Sequence, residues 1–115
     1  MPLLKLETSV ALPEKEQTAI LAALSKLLAR ATGKPEQYVM VTHGCSAILM
    51  SAQPGPAAWV EIRSIGGLTA DVNRKLSQQI CQLLQDSAGI PPARVYLNFT
   101  DLEAVNWGWN GSTFG

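Results

Sequence analysis

Apolar positions along the chain alternate, then recur with a helical period, then alternate again, and the whole pattern occurs twice. Residues 3–8, LLKLET, alternate and end on polar residues, which predicts a strand. Pro13 then opens a helix at a position where its missing N–H costs nothing. Ile20, Leu21, Leu24, Leu27, Leu28 and Ala31 fall on one face of that helix. Gly33 ends it, and Pro35 blocks its continuation. Residues 38–43, YVMVTH, are β-prone and alternating. The second pass reads WVEIR at 59–63, a helix capped by Thr69 and facing inward through Val72, Leu76, Ile80, Leu83 and Leu84, a stop at Gly89, and RVYLNF at 94–99.

The two passes keep one register. An offset of 56 residues carries Gly33 to Gly89, Val39 to Val95, Leu6 to Ile62, Ile20 to Leu76, Leu24 to Ile80 and Leu28 to Leu84. The expectation is one domain over residues 1–115, built from a duplicated β-α-β unit at about 3–44 and 59–100. A helix of about 18 residues between two strands makes a parallel crossover. The predicted fold class is therefore α/β (α+β), a four-stranded mixed sheet with both helices on one face. Val39-Met40-Val41 and Val95-Tyr96-Leu97 read as apolar on both faces, so the uncovered face calls for another copy of the chain.

Composition agrees with that. Hydrophobic residues make up 47% of the 115 positions and charged residues only 16%, too little polar material to cover a small domain. Nine basic residues balance nine acidic ones, and no basic run is present, which argues against nucleic acid and anionic membranes as partners. No run of 18 apolar residues exists to span a bilayer. The opening Met1-Pro2-Leu3-Leu4-Lys5-Leu6-Glu7 does not read as a secretory leader. Cys45, Cys81 and the one histidine, His43, make neither a disulfide framework nor a zinc site, so no metal or other cofactor is expected and a reducing cytoplasm is. The last residues bring Trp107, Trp109 and Phe114 together among glycines, either as an aromatic wall over a pocket or as core or intersubunit packing.

Pro2, Thr32-Gly33-Lys34-Pro35, Ser64-Ile65-Gly66, Asn73-Arg74, Arg94-Val95-Tyr96, Asn98 and Trp109-Asn110 followed by Ser112-Thr113-Phe114 occur in this order. In that ordered set the chain resembles the macrophage migration inhibitory factor family of the tautomerase superfamily over nearly its whole length. The resemblance implies a homotrimer of duplicated β-α-β chains. It also implies an isomerase that interconverts keto and enol forms of aromatic α-keto acids such as phenylpyruvate.

The implied general base is Pro2, a secondary amine once Met1 is removed. An ordinary α-amino group titrates near about 8 and would be mostly protonated at neutral pH. Burial against Leu3, Ile65, Trp107, Trp109 and Phe114, and repulsion from Lys34 and Arg63, are the two means of lowering it. By the same resemblance Lys34 pairs with the substrate carboxylate, and the Ile65 N–H, with Ser64 beside it, holds a substrate oxygen. Trp109 and Phe114 stack on the ring, and Tyr38 lines the pocket. Tyr96 and Asn98 arrive from the adjacent subunit.

The family's pattern breaks in places. Position 63 is Arg where vertebrate members carry His, and position 107 is Trp where they carry Val, which bears on substrate range. The family's CxxC would fall at Ala57-Ala58-Trp59-Val60, so that thiol chemistry is not expected. Ala11-Leu12-Pro13 lacks the Arg of the cytokine members, so signalling is not carried over. Two other readings stand beside the enzyme: a non-catalytic binding or signalling protein that keeps the fold, and a ferredoxin-like module, which the lack of basic and stacking residues disfavours as an RNA binder.

Overall fold

The computed structural model describes residues 1–115. Its main elements are β1 (Pro2–Thr8), α1 (Glu14–Thr32), β2 (Met40–Cys45), β3 (Ala58–Ser64), α2 (Ala70–Ala88) and β4 (Val95–Asp101). A short hairpin, β5 (Gly108–Trp109) and β6 (Ser112–Thr113), follows. The two helices occupy positions 56 residues apart from first to last, as the sequence offset requires.

Both helices are bounded by local chemistry. Glu14 and Glu16 place negative charge at the start of α1, where the exposed N–H groups and the helix dipole favour it. At α2 the Thr69 hydroxyl accepts the Val72 N–H at 3.2 Å. Gly33 and Gly89 close the helices at φ +68° and +67°, a conformation costly for any side chain.

The sheet order is β2-β1-β3-β4. β1 and β2 are parallel, as are β3 and β4, and the two units join through antiparallel β1 and β3. That pairing sets Leu4 against Ile62 and Leu6 against Val60 on the helix side. All four are fully buried, together with Ile20, Leu24 and Leu28 of α1 and Leu76, Ile80 and Leu84 of α2. Each such side chain contributes about 1.5–3 kcal/mol relative to exposure.

Two sequence expectations need correction. The second strand of each unit begins later than its β-prone run. Tyr38 lies in a 3-10 turn, Glu36–Tyr38, whose end is bonded back to Pro35 and Glu36, so β2 starts at Met40. Arg94 lies in the equivalent turn, Pro92–Arg94. The uncovered sheet face is also not uniformly apolar. Strand alternation puts Leu3, Met40, Trp59 and Tyr96 there, but interleaved with Lys5, Glu7, Glu61, Arg63, Thr42 and Asn98. Lys5 pairs with Glu7 at 3.3 Å, and Glu61 accepts from the Trp59 indole at 2.8 Å.

Ser9 and Arg94 hold the 46–57 connection; the Ser9 hydroxyl donates to the Gly55 carbonyl at 3.0 Å and accepts the Ala57 N–H at 2.9 Å. Arg94 donates to the carbonyls of Pro56 (2.8 Å), Gln53 (2.9 Å) and Met50 (3.3 Å). No helix is long and apolar enough to cross a membrane.

Candidate active site

At the end of the sheet where β1 begins, three segments enclose a cleft of about 500 Å³. β1 supplies Pro2 and Leu3, with Met1 before them; the 3-10 turn and the start of β2 supply Tyr38, Val39 and Met40; the end of β3 supplies Arg63. The C-terminal segment closes it with Leu102, Asn106, Trp107, Trp109 and Phe114. A volume of this size suits a small organic molecule.

The aromatic wall has a local cause. Asn110 and Gly111, at φ +50° and +80°, form the two-residue turn between β5 and β6. The Phe114 N–H then bonds to the Trp107 carbonyl at 3.1 Å. This folds Phe114 back on Trp109, with ring centroids 5.9 Å apart and planes within 10°. Tyr38 meets the same indole edge-on at 6.2 Å. Trp109 still leaves 57% of its surface exposed. The segment lines the cleft and contributes no residue to the buried core.

Pro2 is buried and lies opposite Ser64 in the β1–β3 ladder. The amine of Met1 is held below its ordinary value, first by burial and second by the positive charge of Lys34. Lys34 itself follows the α1 stop at Gly33 and does not line the cleft.

Ser64 is fully buried, and its hydroxyl is already committed to the Gly66 carbonyl at 2.7 Å. Its own carbonyl accepts the Leu102 N–H at 2.8 Å. Ile65 opens the loop beyond, half-buried, and its N–H bonds to no acceptor in the chain. The loop is pinned on both sides. The Asp101 carboxylate accepts the Gly66 N–H at 2.8 Å, and Gly67 packs so closely on Thr32 that a Cβ would stand 3.0 Å from its carbonyl oxygen.

One chain thus gathers Pro2, Tyr38, Trp109 and Phe114 around the cleft, while Lys34, Ser64 and Ile65 do not line it. It does not bring Tyr96 or Asn98 there. Tyr96 pairs with Trp59 at the far end of β4, roughly 17 Å along the strand from Asp101. It lines a second cleft of about 290 Å³ with Leu49 and Met50. Gln37, Met40, Leu102 and Asn106 line the main cleft without having been anticipated. Met40 follows from alternation opposite Leu3; for the other three the sequence carries no local signal.

The model of the family described as Macrophage migration inhibitory factor (MIF) matches residues 1–115. The chain belongs to the macrophage migration inhibitory factor family. It is 42% identical to the macrophage migration inhibitory factor of Rattus norvegicus over 119 aligned residues, which cover 99% of each chain. Among solved structures it is similar to the MIF homologue of Prochlorococcus marinus, with 38% identity, a TM-score of 0.93 and coverage of 98% of this chain and 99% of the other. It is also similar to the MIF-like protein of Entamoeba histolytica, with 32% identity, a TM-score of 0.94 and coverage of 98% of each. The duplicated β-α-β fold is therefore the fold of this MIF family.

Proposed function

We propose that the protein is a tautomerase of phenylpyruvate-like α-keto acids, working as a homotrimer, with Pro2 as general base after Met1 is removed. The observation that carries this reading is Pro2, buried at the end of an aromatic-walled cleft, next to a Met1 amine held below its ordinary value. The reaction moves one proton between carbon and oxygen. The free imino nitrogen of Pro2 takes a proton from the carbon beside the ketone, and the electrons of that C–H bond form the enolate. The same nitrogen, now protonated, returns the proton to the oxygen.

Each remaining part has a residue suited to it. Lys34 offers a cation for the substrate carboxylate, and the unpartnered Ile65 N–H a donor for a substrate oxygen. Trp109, Phe114 and Tyr38 offer faces and edges to an aromatic ring. Ser64 supports the loop through Gly66. Tyr96 and Asn98 stand exposed on an edge strand, where a neighbouring subunit's cleft can use them. The free thiols of Cys45 and Cys81 suit a cytoplasmic setting.

The test is phenylpyruvate enolisation by the chain with Met1 cleaved and with Met1 retained. A retained Met1 makes the Pro2 nitrogen an amide, which is not basic. Turnover by the cleaved form alone is the expected result; equal turnover by both sinks the mechanism.

A further inference from the structure

No acidic side chain lines the main cleft, yet an arginine does. Arg63 stands beside Leu3 across the β1–β3 ladder, on the sheet face away from the helices. Lys34 approaches from the helix side, in the loop after α1. Arg63 thus lines the cleft from the open face, while Lys34 acts on the amino end without lining it.

Arg63 is weakly engaged by its own chain. Its one ion-pair partner is Glu61, at 3.9 Å, the outer limit of such a pair. The partly exposed pair, with side chains 51% and 30% exposed, is of the kind worth little. Glu61 is already taken at its other oxygen by the Trp59 indole. The Arg63 guanidinium makes no hydrogen bond to the protein, so its planar fork of donors is free for a carboxylate in two-point geometry. A single α-keto acid carboxylate needs only one of the two cations.

We propose that Arg63 is a specificity-determining residue that selects α-keto acids bearing a second carboxylate on the aromatic end. The assignment rests on the tautomerase reading, in which Lys34 and the Ile65 N–H take the carboxylate next to the ketone. The ring then lies along Trp109 and Phe114, and a ring carboxylate meets Arg63. Trp107 also lines the cleft.

The experiment compares phenylpyruvates carrying a ring carboxylate, at the meta or para position, with the carboxamides of the same shape. The processed parent is expected to favour the better carboxylate isomer over its amide by about tenfold or more in kcat/KM. Arg63→Gln brings that ratio close to one, and Arg63→Lys leaves it in between. A parent ratio near one, or a ratio unmoved by Arg63→Gln, overturns the proposal. So does a loss in Arg63→Gln that strikes acid and amide alike, since that assigns Arg63 to the carboxylate they share. Quenching of Trp107 and Trp109 fluorescence gives the same acid-to-amide ratio as a binding ratio, so the assignment is decided even without turnover. Absent turnover of every compound, phenylpyruvate included, defeats the tautomerase reading instead.

Discussion

Pro2 stands directly opposite Ser64, the first residue of β1 against the last of β3, and both are buried. A proline there removes no needed donor, because the start of a strand tolerates one. Residue 2 is thus free to be chosen for chemistry. Pro2→Gly should cost no more than about 1 kcal/mol of stability in urea unfolding, while the kcat for phenylpyruvate falls about tenfold or more, because the processed variant keeps only a primary amine in place of the ring nitrogen. An unchanged kcat removes Pro2 from the mechanism.

The Met1 amine is lowered by burial first and by Lys34 second, and removal of Met1 is expected to leave the Pro2 nitrogen in the same surroundings. A lowered value keeps the base neutral as the pH falls. Activity should therefore persist below the ordinary α-amino value of about 8 and fail only as the pH passes through the lowered one. Lys34→Ala removes the smaller cause. The acid limb of the kcat/KM profile should move up, yet stay short of the ordinary value, because burial remains. A limb that does not move separates Lys34 from the amine.

The duplicated unit was legible because it is written in local chemistry: Gly33 and Gly89 fix the helix ends, and leucine spacing fixes the buried faces. The strand starts were misjudged because Pro35 and Pro91 each lead into a 3-10 turn that consumes residues with high β propensity. The mixed character of the open face was hidden for a different reason. Lys5–Glu7 and Glu61–Arg63 neutralise each other along single strands, and only the β1–β3 register brings the two pairs side by side. At the site, Pro2, Tyr38, Trp109 and Phe114 were readable as residues. The Asp101 hold on Gly66 was not, since it joins positions 35 residues apart.

Leu28 and Leu84 occupy the same place in the two units and are both fully buried. If the duplicated units share the core equally, Leu28→Ala and Leu84→Ala should each cost about 2–5 kcal/mol. Urea midpoints measure both. A large effect from one and none from the other would show that one unit carries the core alone.

His43 ties β2 to β1 and α1. Its Nε2 lies 2.8 Å from the Thr8 hydroxyl, whose own hydrogen goes to the Val10 carbonyl, so Nε2 is the donor. Nδ1 lies 2.6 Å from Gln17 Oε1; turning that amide so that its NH₂ faces Nδ1 satisfies a neutral ring. Burial lowers the His43 pKa from 6.5, in agreement with the neutral form. The unfolded chain then binds the proton more readily, so stability is full above about 6.5 and declines as the pH falls through the lowered value. Denaturant midpoints between pH 7.5 and 5 should fall less steeply for His43→Gln than for the parent. Parallel slopes would mean that His43 is not the titrating group.

Tyr96 and Asn98 lie on β4, one edge of the sheet, while β2, which borders the main cleft, is the other edge. A single chain cannot place them in its own cleft. A ring of copies can, because a contact between unlike edges repeats around a closed axis. The homotrimer of the proposed function should have three times the chain mass in solution. Activity should also be restored by mixing two defective variants. A chain that retains Met1 has an amide in place of the base but keeps β4; a Tyr96→Ala, Asn98→Ala double variant keeps the base but lacks the borrowed side chains. Co-refolded, some mixed trimers pair a native Pro2 cleft with a neighbour that carries native Tyr96 and Asn98, and phenylpyruvate turnover should exceed the sum of the two variants alone. Sites confined to one chain give no such gain, and a trimer that shows none does not share its clefts.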